Sequence, residues 1–286
     1  MRQLVIISGK GGTGKTVLTA SLAAIARNKV MADCDVDAAD LHLLLAPDIK
    51  QRDFFKSGKT AEVNKDICVN CGKCREVCRF DAINDDYVVD HVSCEGCGFC
   101  GLACPAGAIE MRENTTGEWF VSGTRMGPMV HAKLAVGEEN SGKLVSLVRN
   151  KAKELAEKDG KDWVIIDGSP GIGCPVIASI SGVNAALIVT EPTMSGLHDA
   201  DRVVKVARHF NVPVRMVINK YDLNPEMAHD IEAYCRKNGI KISGKIGFDE
   251  KIVEAMVLGK TIMEYTENET TRTIKDIWRD LEDEIC

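Results

Sequence analysis

The chain has no excess of positive charge, no long apolar run and no histidine cluster, and each absence removes a class of function. Its 36 Lys and Arg face 42 Asp and Glu, a formal net charge of −6. Nucleic acid is therefore not an expected partner, because binding to a phosphate backbone draws on a basic face. No segment approaches the roughly 20 apolar residues of a membrane span. The first apolar run, Leu4 to Ile7, gives way at once to glycines. Neither a secretory signal nor a membrane anchor is expected, and the expected location is the cytoplasm. A terminal helical pattern, 271–285, carries Ile274, Ile277, Trp278 and Leu281 on one face, but its Lys275 and Arg279 are outnumbered by Asp276, Asp280, Glu282, Asp283 and Glu284. Anionic lipid would repel that helix, so it is expected to pack on the core. The six histidines lack metal-like spacing, and His198 and His209 read as surface or packing residues.

Cysteine, by contrast, is plentiful. Eight of the 12 form two runs, Cys68-x2-Cys71-x2-Cys74-x3-Cys78 and Cys94-x2-Cys97-x2-Cys100-x3-Cys104. The runs are an internal repeat: each cysteine recurs at an offset of 26 residues, and Asp81-Ala82-Ile83 recurs as Gly107-Ala108-Ile109. Three closely spaced thiolates can wrap one [4Fe-4S] cluster while the fourth reaches the neighbouring one, as in bacterial two-cluster ferredoxins. On that logic Cys68, Cys71, Cys74 and Cys104 hold one cluster, and Cys94, Cys97, Cys100 and Cys78 hold the other. Zinc and disulfides are the alternatives, although zinc sites generally pair two CxxC units across a longer gap, and a reducing compartment disfavours disulfides. Arg79 departs from the ferredoxin pattern, which has proline after the fourth cysteine; Pro105 keeps it. Residues 64–111 contain four Lys/Arg against eight Asp/Glu, an acidic surface suited to a basic patch on a redox protein. Cys34, Cys174, Cys235 and Cys286 form no CxxC pair, and Cys34 and Cys174 read as small buried residues.

The chain opens on a short apolar strand, Leu4 to Ile7, followed by Gly9-Lys10-Gly11-Gly12-Thr13-Gly14-Lys15-Thr16 and a helical pattern. That is G-x4-G-K-T in its required setting. Backbone N–H groups of Gly9, Gly11, Gly12, Thr13 and Gly14 can curl around phosphate oxygens, Lys15 can reach the β- and γ-phosphates, and the Thr16 hydroxyl suits Mg²⁺. Asp167 ends another apolar strand, where a carboxylate can hold Mg²⁺ through water. Asn219-Lys220-Tyr221-Asp222 ends a third; an NKxD sequence reads guanine in GTPases, so these four residues leave the base open. Asp37 and Asp40 precede Leu41-His42-Leu43-Leu44 and read as helix caps. Glu139-Asn140-Ser141-Gly142-Lys143 reads as a polar turn opening the next helix.

With Lys10 after its first glycine, the loop resembles the deviant Walker A group of MinD, ParA, Mrp and nitrogenase iron-protein families. Asp33-Cys34-Asp35-Val36-Asp37 resembles that group's first switch, Val164 to Gly171 its Walker B and second switch, and Thr190-Glu191-Pro192-Thr193 a later strand end. The whole chain resembles MinD-superfamily ATPases with an inserted ferredoxin domain. The resemblance implies ATP and Mg²⁺ as ligands, Lys10 crossing a nucleotide-sandwich dimer to the partner's phosphates, Asp35 orienting the attacking water, and Asn219 contacting adenine. Gly247-Phe248-Asp249 stands where the family has a proline-bearing adenine loop, without the proline.

Strand and helix patterns alternate: strand 3–7, helix 15–27, strand 29–33, then helix 142–158, strand 163–167 and further pairs to strand 242–246. The expected fold is α/β, a doubly wound parallel-sheet P-loop NTPase with an inserted α+β bacterial-type two-[4Fe-4S] ferredoxin domain. The expected division is 1–57 and 113–286 for the ATPase and 58–112 for the insert, with paired strands at Gly58-Lys59-Thr60 and Gly117 to Val121. The expected function is an ATPase whose nucleotide-dependent dimer, with itself or a paralogue, governs electron transfer to a redox protein. An iron–sulfur assembly or carrier factor and a MinD/ParA-type positioning ATPase are the competing readings.

Overall fold

The computed structural model describes residues 1–135, 137–138 and 142–285. Glu139, Asn140 and Ser141 of the expected polar turn lie outside them. The chain divides into two compact units, Met1–Arg52 with Trp119–Lys133 and Asn140–Cys286, and Asp53–Glu118 with Leu134–Glu139. The second reaches beyond 58–112 because its flanking strands continue outward.

The elements run β1 (Arg2–Ile7), α1 (Lys15–Ile25), β2 (Lys29–Asp33), α2 (Leu41–Leu45), β3 (Asp48–Val63), α3 (Lys73–Glu76), α4 (Phe99–Ala103), β4 (Ile109–Thr124), β5 (Gly127–Leu134), α5 (Lys143–Lys158), β6 (Trp163–Asp167), α6 (Cys174–Ile180), β7 (Ala185–Thr190), α7 (Met194–His209), β8 (Val214–Asn219), α8 (Pro225–Lys237), β9 (Lys241–Ile246), α9 (Glu250–Val257), α10 (Ile262–Tyr265) and α11 (Glu269–Ile285).

In the first unit the sheet order β5-β2-β6-β1-β7-β8-β9 is joined by parallel pairings throughout. β2, β6 and β7 are buried along their whole length, as strands covered by helices on both faces must be. The chain leaves β1 for β2, returns to insert β6 between them, and then builds outward through β7, β8 and β9. Asp33, Asp167, Thr190 and Asn219 thus all sit at the carboxyl ends of parallel strands, with Asp33 and Asp167 in direct register. A doubly wound sheet binds ligands at that edge, where the strand order reverses.

Helix ends differ from expectation where backbone geometry intervenes. α1 stops at Ile25 because Ala26 is extended and Asn28 has φ 49°. Asp40 does not cap α2 with its side chain: its backbone is helical, and the carboxylate cannot reach back to a free N–H from that conformation. α11 packs as expected, burying Ile274, Ile277, Trp278 and Leu281. The Trp278 ring lies 5.1 Å from that of Trp163. Gly244 permits this packing, since a Cβ there would come within 2.5 Å of Ile277.

The 26-residue repeat of the second unit extends to its backbone. α3 and α4 start after left-handed Gly72 (φ 78°) and Gly98 (φ 74°), and two further left-handed pairs, Asn70 with Gly96 and Asp81 with Gly107, keep the same offset. Asn64 N–H donates to Ala108 and Asp90 N–H to Ala82, both at 2.7 Å. The start of each half is therefore bound to the end of the other. Asn64 and Asp90 also accept from Asp66 N–H (2.9 Å) and Val92 N–H (3.0 Å), the same turn twice. Ala61, Val63, Ile83 and Val89 form a small core with Cys74 and Cys100.

Candidate functional site

The loop between β1 and α1 borders a cavity of about 490 Å³ shared with Asp35, Asn219, Gly247 and Phe248. Gly14 ends the loop at φ 90°, and a Cβ there would sit 2.3 Å from Asn219 Nδ2. Only glycine satisfies both the left-handed turn and that close approach. Asn219 lines the cavity, and its amide donates to the Thr13 carbonyl at 2.8 Å, so it props the loop from β8.

At the floor, Lys15 Nζ lies 2.9 Å from Asp167 Oδ1 and 3.1 Å from Asp35 Oδ2. Thr16 Oγ1 donates to Asp167 Oδ2 at 2.8 Å and Thr19 Oγ1 to Asp167 Oδ1 at 2.9 Å. Burial opposes the Lys15 charge, but Asp167 and Asp35 outweigh it and hold the ammonium above its ordinary pKa. Asp33 is fully buried, and burial, reinforced by Asp167, pushes its carboxyl well above the carboxylate range. Burial also raises Asp35, against the pull of Lys15. Two carboxyl groups thus contact one ammonium, with the Asp33 carboxyl buried beside them. Among the described residues Thr13 Oγ1, Asp33 Oδ2 and Asp35 Oδ1 are buried without a hydrogen-bond partner, and Thr13 and Asp35, which line the cavity, suit it to a further polar ligand.

Lys10 is engaged within its own chain, 2.6 Å from Glu191 Oε1 and 3.0 Å from Ser195 Oγ. Glu191 is a partner that sequence reading missed; the Thr190-Glu191-Pro192-Thr193 segment was its only signal. Asp222 accepts from Phe248 N–H at 2.7 Å, which commits one of its oxygens to the chain. Cys34 is buried as expected, whereas Cys174 is exposed, a correction to its reading as a buried residue. It opens α6, where the turn after Gly173 leaves it outside the helix's buried face.

In the second unit, Cys68, Cys71, Cys74 and Cys104 border one cavity with Val63, Tyr87 and Ile109. Cys78, Cys94, Cys97 and Cys100 border another with Phe80, Phe99 and Met111. The fourth cysteine of each run has crossed to the other run's cavity. Burial raises the Cys74 and Cys100 thiols, and Cys68 with Cys104, and Cys94, Cys97 and Cys78 respectively, add to it. Ala108 N–H donates to Cys104 Sγ at 3.3 Å. Among the described residues all cysteines are free, and no three His, Cys, Asp or Glu side chains converge as they would on one ion. Nor is any described helix long and apolar enough to cross a membrane.

The family model of the CobQ/CobB/MinD/ParA nucleotide-binding domain matches residues 4–262. An uncharacterised protein of Methanocaldococcus jannaschii is 34% identical over 288 residues, covering 99% of this chain and 97% of that one. An iron-sulfur cluster carrier protein of Pyrococcus horikoshii is 27% identical over 128 residues, 41% of this chain and 43% of the carrier. Among solved structures, the cell division ATPase MinD of Pyrococcus furiosus covers 99% of this chain and 98% of its own, with TM-score 0.60 at 20% identity, a likeness of fold. With a phosphate-type loop, two carboxylates on its lysine and a match over most of its length, the chain belongs to the CobQ/CobB/MinD/ParA nucleotide-binding family.

Proposed function

We propose that the chain is an ATP-hydrolysing iron–sulfur protein in which a nucleotide-dependent dimer, of two copies or with a paralogue, is coupled to electron transfer through two [4Fe-4S] clusters. The observation that carries this reading is the crossing of Cys78 and Cys104 between two thiol-lined cavities, within a chain of a nucleotide-binding family. Four thiols, apolar walls and an N–H donor on sulfur make a donor set that fits such a cluster. A four-iron cube also needs its ligands farther apart than the ~3.8 Å that tetrahedral Zn–S bonds of ~2.3 Å imply. Cys68, Cys71, Cys74 and Cys104 would hold one cluster and Cys78, Cys94, Cys97 and Cys100 the other; bound there, the clusters supply one-electron chemistry.

In the nucleotide pocket, Lys15 and the loop N–H groups hold the phosphates. Thr16 and Asp167 would share Mg²⁺, whose charge would offset that of the carboxylates. Asp35, already at the lysine, orients the attacking water, and Lys10 exchanges Glu191 for the partner's phosphates. ATP is the nucleotide, with Asn219, which lines the cavity, contacting adenine. The redox partner is a protein with a basic patch; neither nucleic acid nor membrane takes part, and the cytoplasm is the site of action. Iron and acid-labile sulfide in anaerobically purified chain test the reading: about eight of each support it, and their absence refutes it. The similarity to an iron-sulfur cluster carrier favours cluster delivery as a second reading. That reading falls if no cluster reaches an apo-acceptor.

A further inference from the structure

The first unit carries a second cavity, of about 600 Å³, between α5 and α6. It shares no lining residue with the nucleotide cavity, and its size suits a small organic ligand. Three cations line it, Lys143, Arg149 and Lys153, and among the described residues no Asp or Glu does. In a chain of net charge −6, such a concentration of one sign is against the average.

Arg149 is the informative member. Its Nη1 donates to the Ala178 and Ser181 carbonyls at 2.5 and 2.8 Å and its Nη2 to Gln3 Oε1 at 3.0 Å, all neutral acceptors. Its Nε is buried without a partner. Carbonyls at the end of α6 offset part of the charge, but among the described residues no carboxylate is paired with it. Lys153 reaches Glu157 only at 3.8 Å with both side chains about half exposed, a weak pair. Asn150 and Ser146 add exposed hydrogen-bonding groups to the same wall.

We propose that this groove binds a small organic polyanion, a phosphate ester or a polycarboxylate, with Lys143 and Lys153 as its charged clamps over the Arg149 floor. The groove shares no lining residue with the nucleotide cavity or with the two thiol-lined cavities.

The test is calorimetric titration of fructose 1,6-bisphosphate and of citrate into the ADP-loaded chain at physiological salt, with the Lys143→Glu/Lys153→Glu variant in parallel. Both lysines are exposed, so the variant folds, and an unchanged ADP affinity verifies it. The proposal expects one anion bound per chain, weakened at least tenfold in the variant, and slower maleimide labelling of Cys174 at the groove's edge, mapped by mass spectrometry. The tighter of the two anions identifies the ligand as phosphate ester or polycarboxylate. Binding of neither, binding equal in the variant, or binding of a polyglutamate peptide alone overturns it.

Discussion

Replacing Lys15 by Met should destabilise the first unit by an amount that depends on pH. The Lys15, Asp35 and Asp167 side chains are 6, 9 and 0% exposed, so the lysine's partners cannot turn to water when it is removed. An uncompensated buried charge costs about 3–5 kcal/mol, and the isosteric thioether adds little packing loss of its own. Asp33 and Asp35 already titrate above their ordinary range, and without Lys15 they rise further. A carboxyl whose native pKa is raised binds a proton in the folded state that the unfolded chain has released, so stability falls as pH rises toward the native value. Each such proton contributes about 1.4 kcal/mol per pH unit, and one proton taken up between pH 7.5 and 5 restores about 3 kcal/mol. The expected penalty is therefore about 3–5 kcal/mol at pH 7.5 and about 2 kcal/mol or less at pH 5. Urea unfolding of nucleotide-free protein, followed by tryptophan fluorescence, measures it, because Trp119, Trp163 and Trp278 all lie in the first unit. A penalty below about 1 kcal/mol at pH 7.5, or one that does not change with pH, would refute the view that the lysine neutralises a carboxylate cluster.

Cys104→Ser should remove the cluster held with Cys68, Cys71 and Cys74, and Cys78→Ser the other, each lowering iron from about eight to about four per chain; loss of the opposite cluster, read by paramagnetic resonance of single and double variants, would contradict the crossed pairing. Lys10→Ala should leave nucleotide affinity within a few-fold and lower ATP turnover at least tenfold, checked by titration and phosphate release. His131 is buried with its Nε2 2.9 Å from Ser122 Oγ, and burial lowers its pKa from 6.5 to about 4. The unfolded chain therefore takes up a proton first, and stability falls from pH 6.5 toward 4 by up to about 3 kcal/mol. His131→Gln should flatten that loss, measured as urea midpoints across the range.

The strands read at 3–7, 29–33 and 163–167 were legible because sheet strands buried on both faces are short and largely apolar, and the loop glycines carry their conformation in their identity. The terminal helix was legible from the spacing of Ile274, Ile277, Trp278 and Leu281. The crossing of Cys78 and Cys104 followed from spacing, since three thiols on one turn leave the fourth out of reach. What sequence could not supply was encounter between distant segments. Glu191 beside Lys10, Asp222 on Phe248 N–H and Arg149 on the end of α6 depend on how loops from different strands meet. Asp40 failed as a cap because capping requires an extended backbone, which residue type alone does not determine. Cys174 was misread because burial of a helix's first residue depends on the turn before it.

Communication between nucleotide turnover and the clusters is read from the steady-state rate of ATP hydrolysis in a single anaerobic preparation, with the clusters first oxidised and then reduced by dithionite. Coupling requires rates that differ several-fold between the two states, and indistinguishable rates would contradict it.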